Sequence, residues 1–330
     1  MTNLSFNELS FEEKEEKIMV NFQNLFYFEL DKRLLEEIGG FTINRDSIIF
    51  PDIPEKRVYS RFNMILEHGL NNIKSRLSNK KVIYIHRNSG IPLIGTNYFG
   101  IIDRGTNIVE VKPMNGCNLD CIYCSVDEGF SSKRPVDFII ERDYLVNEFR
   151  KLLEFKNTTN IHANIAGQGE TLMYPEIVEL VREIRQIHSV DIISIITNGT
   201  MLTELLIDKL VSAGLTRLNI SLNAIDKGLA DKIANKPYNI EKVKEMIRYA
   251  SKRLQVILVP VLIPGINDAE IDKIIEFSKS ICMEGGNVKL GIQNFLSYRF
   301  GRNPVNEISW GEFYERLAGL EKVHNINLKY

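Results

Sequence analysis

The chain has 330 residues, 44% of them hydrophobic and 25% charged, which is ordinary for a globular protein and ample for one large α/β domain plus an extension. Its formal net charge of −2 gives no global electrostatic basis for binding nucleic acid or membranes. No apolar run approaches the ~20 residues that span a bilayer, and the acidic N-terminus is not a signal peptide, so a cytoplasmic location with no membrane partner is expected.

The first part of the chain, residues 1–96, has a helical pattern. Apolar residues from Phe11 to about Glu37 recur at mixed three- and four-residue spacings, and Gly39-Gly40 would end such a helix. A second helix is predicted from Val58 to Leu77, followed by a short strand from Lys81 to His86. This part carries no catalytic signature, and we predict a mainly helical N-terminal extension.

After residue 96 strand and helix patterns alternate, which favours a parallel sheet wrapped by helices. The predicted strands are Ile161–Ala166, Ile192–Thr197, Leu218–Leu222, Gln255–Leu262 and Val288–Phe295, and the predicted helices lie near Arg142–Phe155, Pro175–His188, Thr203–Ala213, Ile240–Lys252 and Asp268–Ile281. A strand at Asn107–Val111 precedes them and gives six β/α units, fewer than the eight of a TIM barrel. We therefore predict an α/β fold, with a partial (β/α)6 TIM-like barrel in a core domain over residues 97–330.

Three cysteines, Cys117, Cys121 and Cys124, follow the first of these strands with the spacing CxxxCxxC. Thiolates favour iron–sulfur clusters, zinc or Cu(I). A structural zinc site needs four ligands, and the remaining cysteine, Cys282, lies far along the chain, where we expect a small buried hydrophobe. Most iron–sulfur clusters have four cysteine ligands. Three ligands therefore predict a cluster with one iron left open, which is a reactive site more than a structural one.

Small and polar residues follow the next strands, at the end where parallel β/α folds bind ligands. The second strand ends in Gly167-Gln168-Gly169-Glu170, the third in Thr197-Asn198-Gly199 and the fourth in Ser221-Leu222-Asn223. Glycines let the backbone approach a ligand, and Glu170 offers a carboxylate to an ammonium group. Each pattern alone is also typical of a turn or a strand end, so the prediction depends on their order on successive strands.

With these residues the chain resembles the radical S-adenosylmethionine (radical SAM) superfamily over roughly residues 107–296. It is similar to the branch that includes the molybdenum-cofactor cyclases, and the flank Gly95–Gly105 resembles that of uncharacterised archaeal radical SAM proteins. The resemblance implies a 4Fe–4S cluster with three irons bound by Cys117, Cys121 and Cys124. SAM would chelate the fourth iron.

The resemblance also implies the residues that contact SAM. Tyr123 takes the aromatic position beside the adenine, and the Gly-Gly-Glu motif that binds the amino group is matched with Gln168 in place of one glycine. Thr197 resembles a SAM-contacting position, and the serine and asparagine after strand four match positions near the ribose and carboxylate. The expected cofactor-binding residues are thus Tyr123, Gly167, Gly169, Glu170, Thr197, Ser221 and Asn223.

The implied function is an oxygen-sensitive, one-cluster radical SAM enzyme. An electron donor such as ferredoxin or flavodoxin would reduce the cluster, and SAM would yield a 5′-deoxyadenosyl radical that abstracts hydrogen from an unidentified substrate. One alternative is a radical SAM enzyme that modifies RNA, such as tRNA, using the basic stretch Lys56–Arg87. Another is a non-catalytic metal-binding regulatory protein. Arg299 and Arg302, after the sixth strand, are candidates for holding a phosphate or carboxylate.

Overall fold

The structure is a computed structural model that describes residues 1–6, 9–23, 25–76 and 78–328. The chain divides into two units: Met1–His86 with Pro135–Ile139, and Arg87–Arg134 with Ile140–Tyr330. The division falls ten residues before the predicted boundary after residue 96. The prediction was of two continuous segments, whereas the chain returns to the first unit for a short segment after it has entered the second.

The first unit consists mainly of strands. In chain order its elements are β1 (Thr2–Ser5), β2 (Leu9–Lys14), β3 (Lys17–Phe22), β4 (Phe26–Asp31), α1 (Lys32–Glu36), β5 (Thr42–Ile43), β6 (Ser47–Phe50), α2 (Glu55–Leu70), β7 (Lys74–Ser75) and β8 (Lys81–Ile85). β2, β3 and β4 pair antiparallel in succession, and β1, β6 and β5 form a second small sheet.

The prediction of a mainly helical N-terminal extension is wrong. Most of the segment from Phe11 to Glu37 lies in β2, β3 and β4, and the short helix α1 follows them. Burial in β3 and β4 alternates with a period of two, the period of a half-buried strand, and the buried residues are Ile18, Val20, Phe22, Phe26, Phe28 and Leu30. The second predicted helix is present as α2, but it ends at Leu70, and Lys74–Ser75 within the predicted span forms β7. The predicted end, Leu77, lies outside the described residues, as does Asn24.

The second unit alternates strands and helices. Its strands are β9 (Gly100–Asp103), β10 (Ile108–Lys112), β11 (Asn115–Gly116), β13 (Ile161–Ile165), β14 (Gln168–Gly169), β15 (Val190–Thr197), β16 (Arg217–Ile220), β17 (Gln255–Leu258), β18 (Val261–Leu262), β19 (Val288–Leu290) and β20 (Gln293–Asn294), while β12 (Val136–Ile140) pairs into the sheet of the first unit. Its helices are α3 (Arg142–Lys156), α4 (Ile177–Arg185), α5 (Glu204–Ala213), α6 (Lys227–Ala234), α7 (Ile240–Ser251), α8 (Asp268–Met283) and α9 (Trp310–His324).

The central sheet of the second unit has the strand order β19-β17-β16-β15-β13-β10-β9. Every neighbouring pair from β10 to β19 is parallel, and β9 is antiparallel to β10. In the described part of the chain, six parallel strands therefore alternate with helices. The predicted partial (β/α)6 barrel is confirmed.

Local sequence sets the bounds of these elements, as α5 illustrates. The Thr203 side chain accepts a hydrogen bond from the backbone N–H of Leu206 at 3.2 Å and so caps the start of the helix. Gly214 ends it in a left-handed conformation with φ of 103°, which glycine adopts without steric cost. The chain then enters β16 directly.

No helix in the described part of the chain is long and apolar enough to cross a membrane.

The parallel strands bury alternate residues completely. Ile165, Ile195, Leu218 and Val256 are register partners on adjacent strands, each with 0% exposure, and we call them the apolar face of the sheet. Helices α4 and α7 pack against β15 and β17. The carboxyl ends of the strands consequently stand on a rigid, apolar base.

Candidate functional site

The three cysteines lie in a loop directly after β11, at residues 117–128, which we call the cysteine loop. Each cysteine is partly buried. The last turn of α6 supports the loop from one side, because the N–H groups of Asp120 and Ile122 donate to the carbonyl oxygens of Ala234 and Ile233, both at 3.0 Å. The cysteines are therefore held by backbone hydrogen bonds in a defined position.

β14 brings the Gly-Gln-Gly-Glu motif to the start of the cysteine loop. Gln168 and Gly169 pair in parallel with Asn115 and Gly116, and the N–H of Glu170 donates to the Gly116 carbonyl oxygen at 2.9 Å. A Cβ at Gly169 would lie 1.9 Å from that same oxygen, and its φ of 147° also favours glycine. This glycine is needed where two backbones approach each other.

Glu170 lies at the centre of a hydrogen-bond network that joins two strand ends. It is 1% exposed, and its Oε1 accepts from the Thr197 hydroxyl at 2.6 Å and from the Leu172 N–H at 3.0 Å. Its Oε2 accepts from the Asn198 N–H at 2.7 Å. Burial raises the pKa of Glu170, and these three hydrogen bonds oppose the rise. A carboxylate has about four lone-pair sites, so one remains for a further donor such as an ammonium group.

Asn198 extends this network to the cysteine loop. Its Nδ2 donates to Asn118 Oδ1 at 2.9 Å and lies 4.0 Å from the Cys117 sulfur. The Tyr238 hydroxyl donates to the Asn198 carbonyl oxygen at 2.7 Å. Neither Asn198 nor Tyr238 was among the expected site residues. Asn198 stands inside the Thr-Asn-Gly element and could have been found there, whereas Tyr238 follows α6 in a loop that has no motif.

A pocket beside the cysteine loop brings several of the expected residues together. Its lining includes Cys121, Tyr123, Asn198, Ser221, Asn223 and Tyr238. Asn223 donates from Nδ2 to the Tyr123 hydroxyl at 2.6 Å and accepts from the Val261 N–H at 2.8 Å, so both side chains are held in place. Gly167 and Gly169 are not in its lining.

Burial and neighbouring negative charges disfavour the thiolate forms of two cysteines in the loop. Burial raises the pKa of Cys117 and raises that of Cys121 to about 12, and the negative charges of Glu170 and Cys124, respectively, act in the same direction. Backbone N–H groups of Leu119 and Glu128 lie 3.4 and 3.3 Å from the sulfurs of Cys117 and Cys124. A bound metal centre stabilises thiolates directly, so binding one would offset this rise in pKa.

The spacing of the donors also bears on the type of metal centre. Among the residues that the structure describes, no three His, Cys, Asp or Glu side chains are grouped to hold one metal ion. A structural zinc ion would draw its ligands together around a single centre. An iron–sulfur cluster places its cysteine ligands on different irons.

Three further side chains were singled out from the sequence, namely Cys282, Arg299 and Arg302. Cys282 is exposed, with its sulfur 3.5 Å from the Val288 carbonyl oxygen, so the prediction of a buried cysteine is wrong. Position 282 falls at the end of α8, one residue after the buried Ile281, where the helix turns its next side chain outward. Arg299 is exposed, and Arg302 is hydrogen-bonded to the cysteine loop.

Comparison with known proteins adds independent evidence. The model of the Radical SAM superfamily matches residues 111–278. An uncharacterised protein of Methanocaldococcus jannaschii is 35% identical over 329 residues, which covers 93% of this chain and 75% of that protein. A GTP 3′,8-cyclase of Lactiplantibacillus plantarum is 34% identical over 179 residues, 54% of this chain and 52% of the cyclase. This chain therefore aligns with about half the length of that enzyme.

Solved structures show the same fold at low sequence identity. A spore photoproduct lyase variant superimposes with a TM-score of 0.53 and 12% identity, covering 74% of this chain and 78% of that one. SuiB of Streptococcus suis gives a TM-score of 0.50 and 12% identity, covering 98% and 69%. Together with the family match over half of the sequence, these likenesses confirm the expected resemblance. The chain belongs to the radical SAM superfamily, a family of enzymes whose cofactors are a 4Fe–4S cluster and SAM.

Proposed function

We propose that this protein binds one 4Fe–4S cluster through Cys117, Cys121 and Cys124 and cleaves SAM reductively. The observation that carries the proposal is the convergence of the cysteine loop, the Glu170 network and the Tyr123 pocket at one end of the parallel sheet. When bound there, the two cofactors supply one-electron cleavage of SAM and hydrogen abstraction from a substrate. Ferredoxin or flavodoxin is the proposed electron donor.

Glu170 is suited to bind the amino group of SAM. Its carboxylate is oriented by the Thr197 hydroxyl and the Asn198 N–H, and it retains a lone pair for a donor. An ammonium group is the donor that a buried carboxylate binds best, because the resulting hydrogen bond is charge-assisted. The same contact would relieve the unfavourable burial that raises the pKa of Glu170.

The pocket beside the loop is suited to the nucleoside part of SAM. Tyr123 provides an aromatic surface on which a purine can stack, and Asn223 prevents its ring from turning away. The hydroxyl of Ser221, from the same pocket, offers a partner to a ribose hydroxyl. Cys121 lies in the lining as well, which puts the nucleoside next to a proposed cluster ligand.

The decisive experiment is the formation of 5′-deoxyadenosine from SAM. The protein is purified anaerobically, loaded with iron and sulfide, reduced with dithionite, and assayed with and without cell extract. We expect the parent to form product, Cys121→Ala to form none, and Cys282→Ala to match the parent because that exposed thiol is outside the site. A loaded parent that forms no product under either condition favours the non-catalytic metal-binding alternative. Full activity of Cys121→Ala would show that the cysteine assignment is wrong.

The second candidate, an enzyme that acts on RNA such as tRNA, has one supporting observation in the first unit. Lys74 and Lys81 are exposed and directly opposite each other on the β7–β8 pair. Like charges placed this way repel, and a bound polyanion would relieve the repulsion. If RNA binds here, log affinity falls as log salt concentration rises. Replacing both lysines with glutamine should make this negative slope shallower by about 2, and the control Lys279→Gln should leave it unchanged. Equal slopes for parent and double variant would exclude this face.

A further inference from the structure

The loop after β20 brings one arginine against the cysteine loop. Arg302 lies 175 residues after Asp127 in the sequence, and its side chain is 17% exposed. Its guanidinium makes hydrogen bonds to side-chain and backbone oxygens across the cysteine loop: Nε to Asp127 Oδ1 at 2.8 Å, Nη1 to the Asp120 carbonyl at 2.7 Å and the Cys121 carbonyl at 3.3 Å, and Nη2 to the Glu128 carbonyl at 3.1 Å. A single side chain thus spans most of the cysteine loop.

The backbone of Arg302 adds a further bond. Its N–H donates to the Cys124 carbonyl oxygen at 2.8 Å, so Arg302 contacts the backbone of two of the three cysteines. The preceding residue must be small for this approach, because a Cβ at Gly301 would lie 3.0 Å from the Ser125 carbonyl oxygen and 3.1 Å from that of Cys124. The Gly301-Arg302 pair therefore suits close packing on the cysteine loop.

Charge balance gives Arg302 a second effect. Nη1 lies 2.8 Å from Asp120 Oδ1, and Nε pairs with Asp127; the two carboxylate side chains are only 6% and 20% exposed. In the described part of the chain, Arg302 is the cation in ion-pair contact with both. Without it, two poorly solvated negative charges would remain beside the cysteines. A guanidinium also matches this set of oxygens in a way that the single ammonium of lysine cannot.

We infer that Arg302 is a positioning residue for the iron–sulfur cluster. It fixes the backbone of the cysteine loop in the shape that presents the thiols, and its positive charge makes the cluster easier to reduce. The inference rests on the proposed function, in which this loop binds the cluster. Net charge and hydrogen bonding around a cluster are established determinants of its reduction potential, and outer partners of this kind control how tightly a metal centre is held.

The test compares Arg302→Gln and Arg302→Lys with Arg299→Gln, a matched control in which an exposed arginine of the same loop is changed. On anaerobically loaded protein, cluster loss under a chelator is followed by absorbance, and the midpoint potential by EPR. We expect Arg302→Gln to lose its cluster roughly 10-fold faster and to have a more negative potential. Arg302→Lys should lose it faster while it keeps a potential near that of the parent, and Arg299→Gln should match the parent in both.

The inference is overturned if Arg302→Gln loses its cluster at the same rate as the parent and has the same midpoint potential. If Arg302→Gln does not fold, Asp127→Asn and Arg302→Lys decide instead, and parent-like cluster retention in both overturns it. Hydrogen exchange at residues 121–128 of the cluster-free protein is a third readout. Faster exchange in Arg302→Lys supports the inference that Arg302 fixes the backbone of the cysteine loop, and unchanged exchange contradicts it. A parent that takes up no cluster refutes the proposed function itself, and this is seen without any Arg302 variant.

Discussion

The apolar face of the parallel sheet and the strand ends just beyond it use their residues in different ways. On the apolar face, Ile165, Ile195 and Leu218 exclude water completely. At the strand ends, polar side chains bind one another, as Glu170 does with Thr197. Apolar burial stabilises by about 25 cal/mol per Å², whereas a satisfied polar network contributes little net stability but orients its members. Along each strand, the residues that stabilise the fold therefore lie only a few positions before the polar residues of the proposed site.

The largest expected effect tests the apolar side of this comparison. Leu180 on α4 has no exposed surface, so Leu180→Ala should lower the free energy of unfolding by about 2–5 kcal/mol, through lost burial and the cavity it leaves. Urea denaturation measures this change. The variant, loaded and assayed well below its melting temperature, should form 5′-deoxyadenosine like the parent. A folded variant without activity would show that stability and chemistry are not separable here. Glu179→Ala, on the exposed side of α4, is the control.

The next effect tests the polar side. Glu170→Ala removes the proposed partner of the SAM amino group, so affinity for SAM should fall about 10–100-fold, the equivalent of one charged hydrogen bond. Iron content should stay at the parent level, because Glu170 is not a proposed cluster ligand. Equilibrium binding of SAM to the loaded protein measures the change, with Glu241→Ala on the surface of α7 as control. Unchanged affinity would refute the assignment of Glu170.

A smaller effect sharpens the role of the Tyr123–Asn223 pair. Tyr123→Phe keeps the aromatic ring and removes the hydroxyl that accepts from Asn223 at 2.6 Å. We expect a loss of about 0.5–1.5 kcal/mol in SAM binding, a few-fold change, because the ring is held less firmly. Tyr123→Leu should lose more, since the stacking surface disappears as well. Equal losses in the two variants would mean that the ring itself contributes nothing.

The smallest effect lies where α9 meets α8. His324 pairs with Glu276 and Asp272, both at 2.7 Å, and the two carboxylates raise its pKa above the ordinary 6.5 against the opposing effect of burial. Its pairs should therefore stabilise the fold fully below pH 6.5 and lose this contribution as pH rises through the raised pKa. His324→Gln should lower the melting temperature by about 1–2 °C at pH 6 and by less at pH 9. A difference that grows with pH would contradict this sign.

The second unit could be predicted from sequence because its signals are local. Strand and helix patterns alternate along the chain, and Glu170 and Thr197 stand in recognisable motifs at strand ends. The segment from Phe11 to Glu37 of the first unit could not, because its aromatic and aliphatic residues occur at spacings that fit a helix and a strand alike. The strand β12 that completes its sheet comes from Val136–Ile140, far along the chain, and no local pattern indicates such a pairing.

Within the site, too, contacts between distant segments could not be predicted from local sequence patterns. The predicted carboxylate, tyrosine and asparagine are identified by motif, but what each one bonds to depends on contacts between distant segments. Tyr238 reaches the Asn198 carbonyl across 40 residues, and Arg302 reaches Asp120 across 182. Arg302 was expected to hold a phosphate or carboxylate because, in the sequence alone, an arginine after a strand can bind a ligand anion as well as oxygens of the protein. Only the fold shows that oxygens of the cysteine loop occupy its guanidinium.

The distance between Arg302 and the cysteine loop has a consequence for the order of events during protein synthesis. A ribosome adds roughly 5–20 residues per second. Because 175 residues separate Asp127 from Arg302, the cysteines leave the ribosome roughly 10 to 35 s before the arginine that clamps them. For that interval the thiols are present in a loop without one of its anchors, and they are exposed to oxidation and to the wrong metal. Iron and sulfide delivered after residue 302 has emerged would meet a loop that already has this anchor.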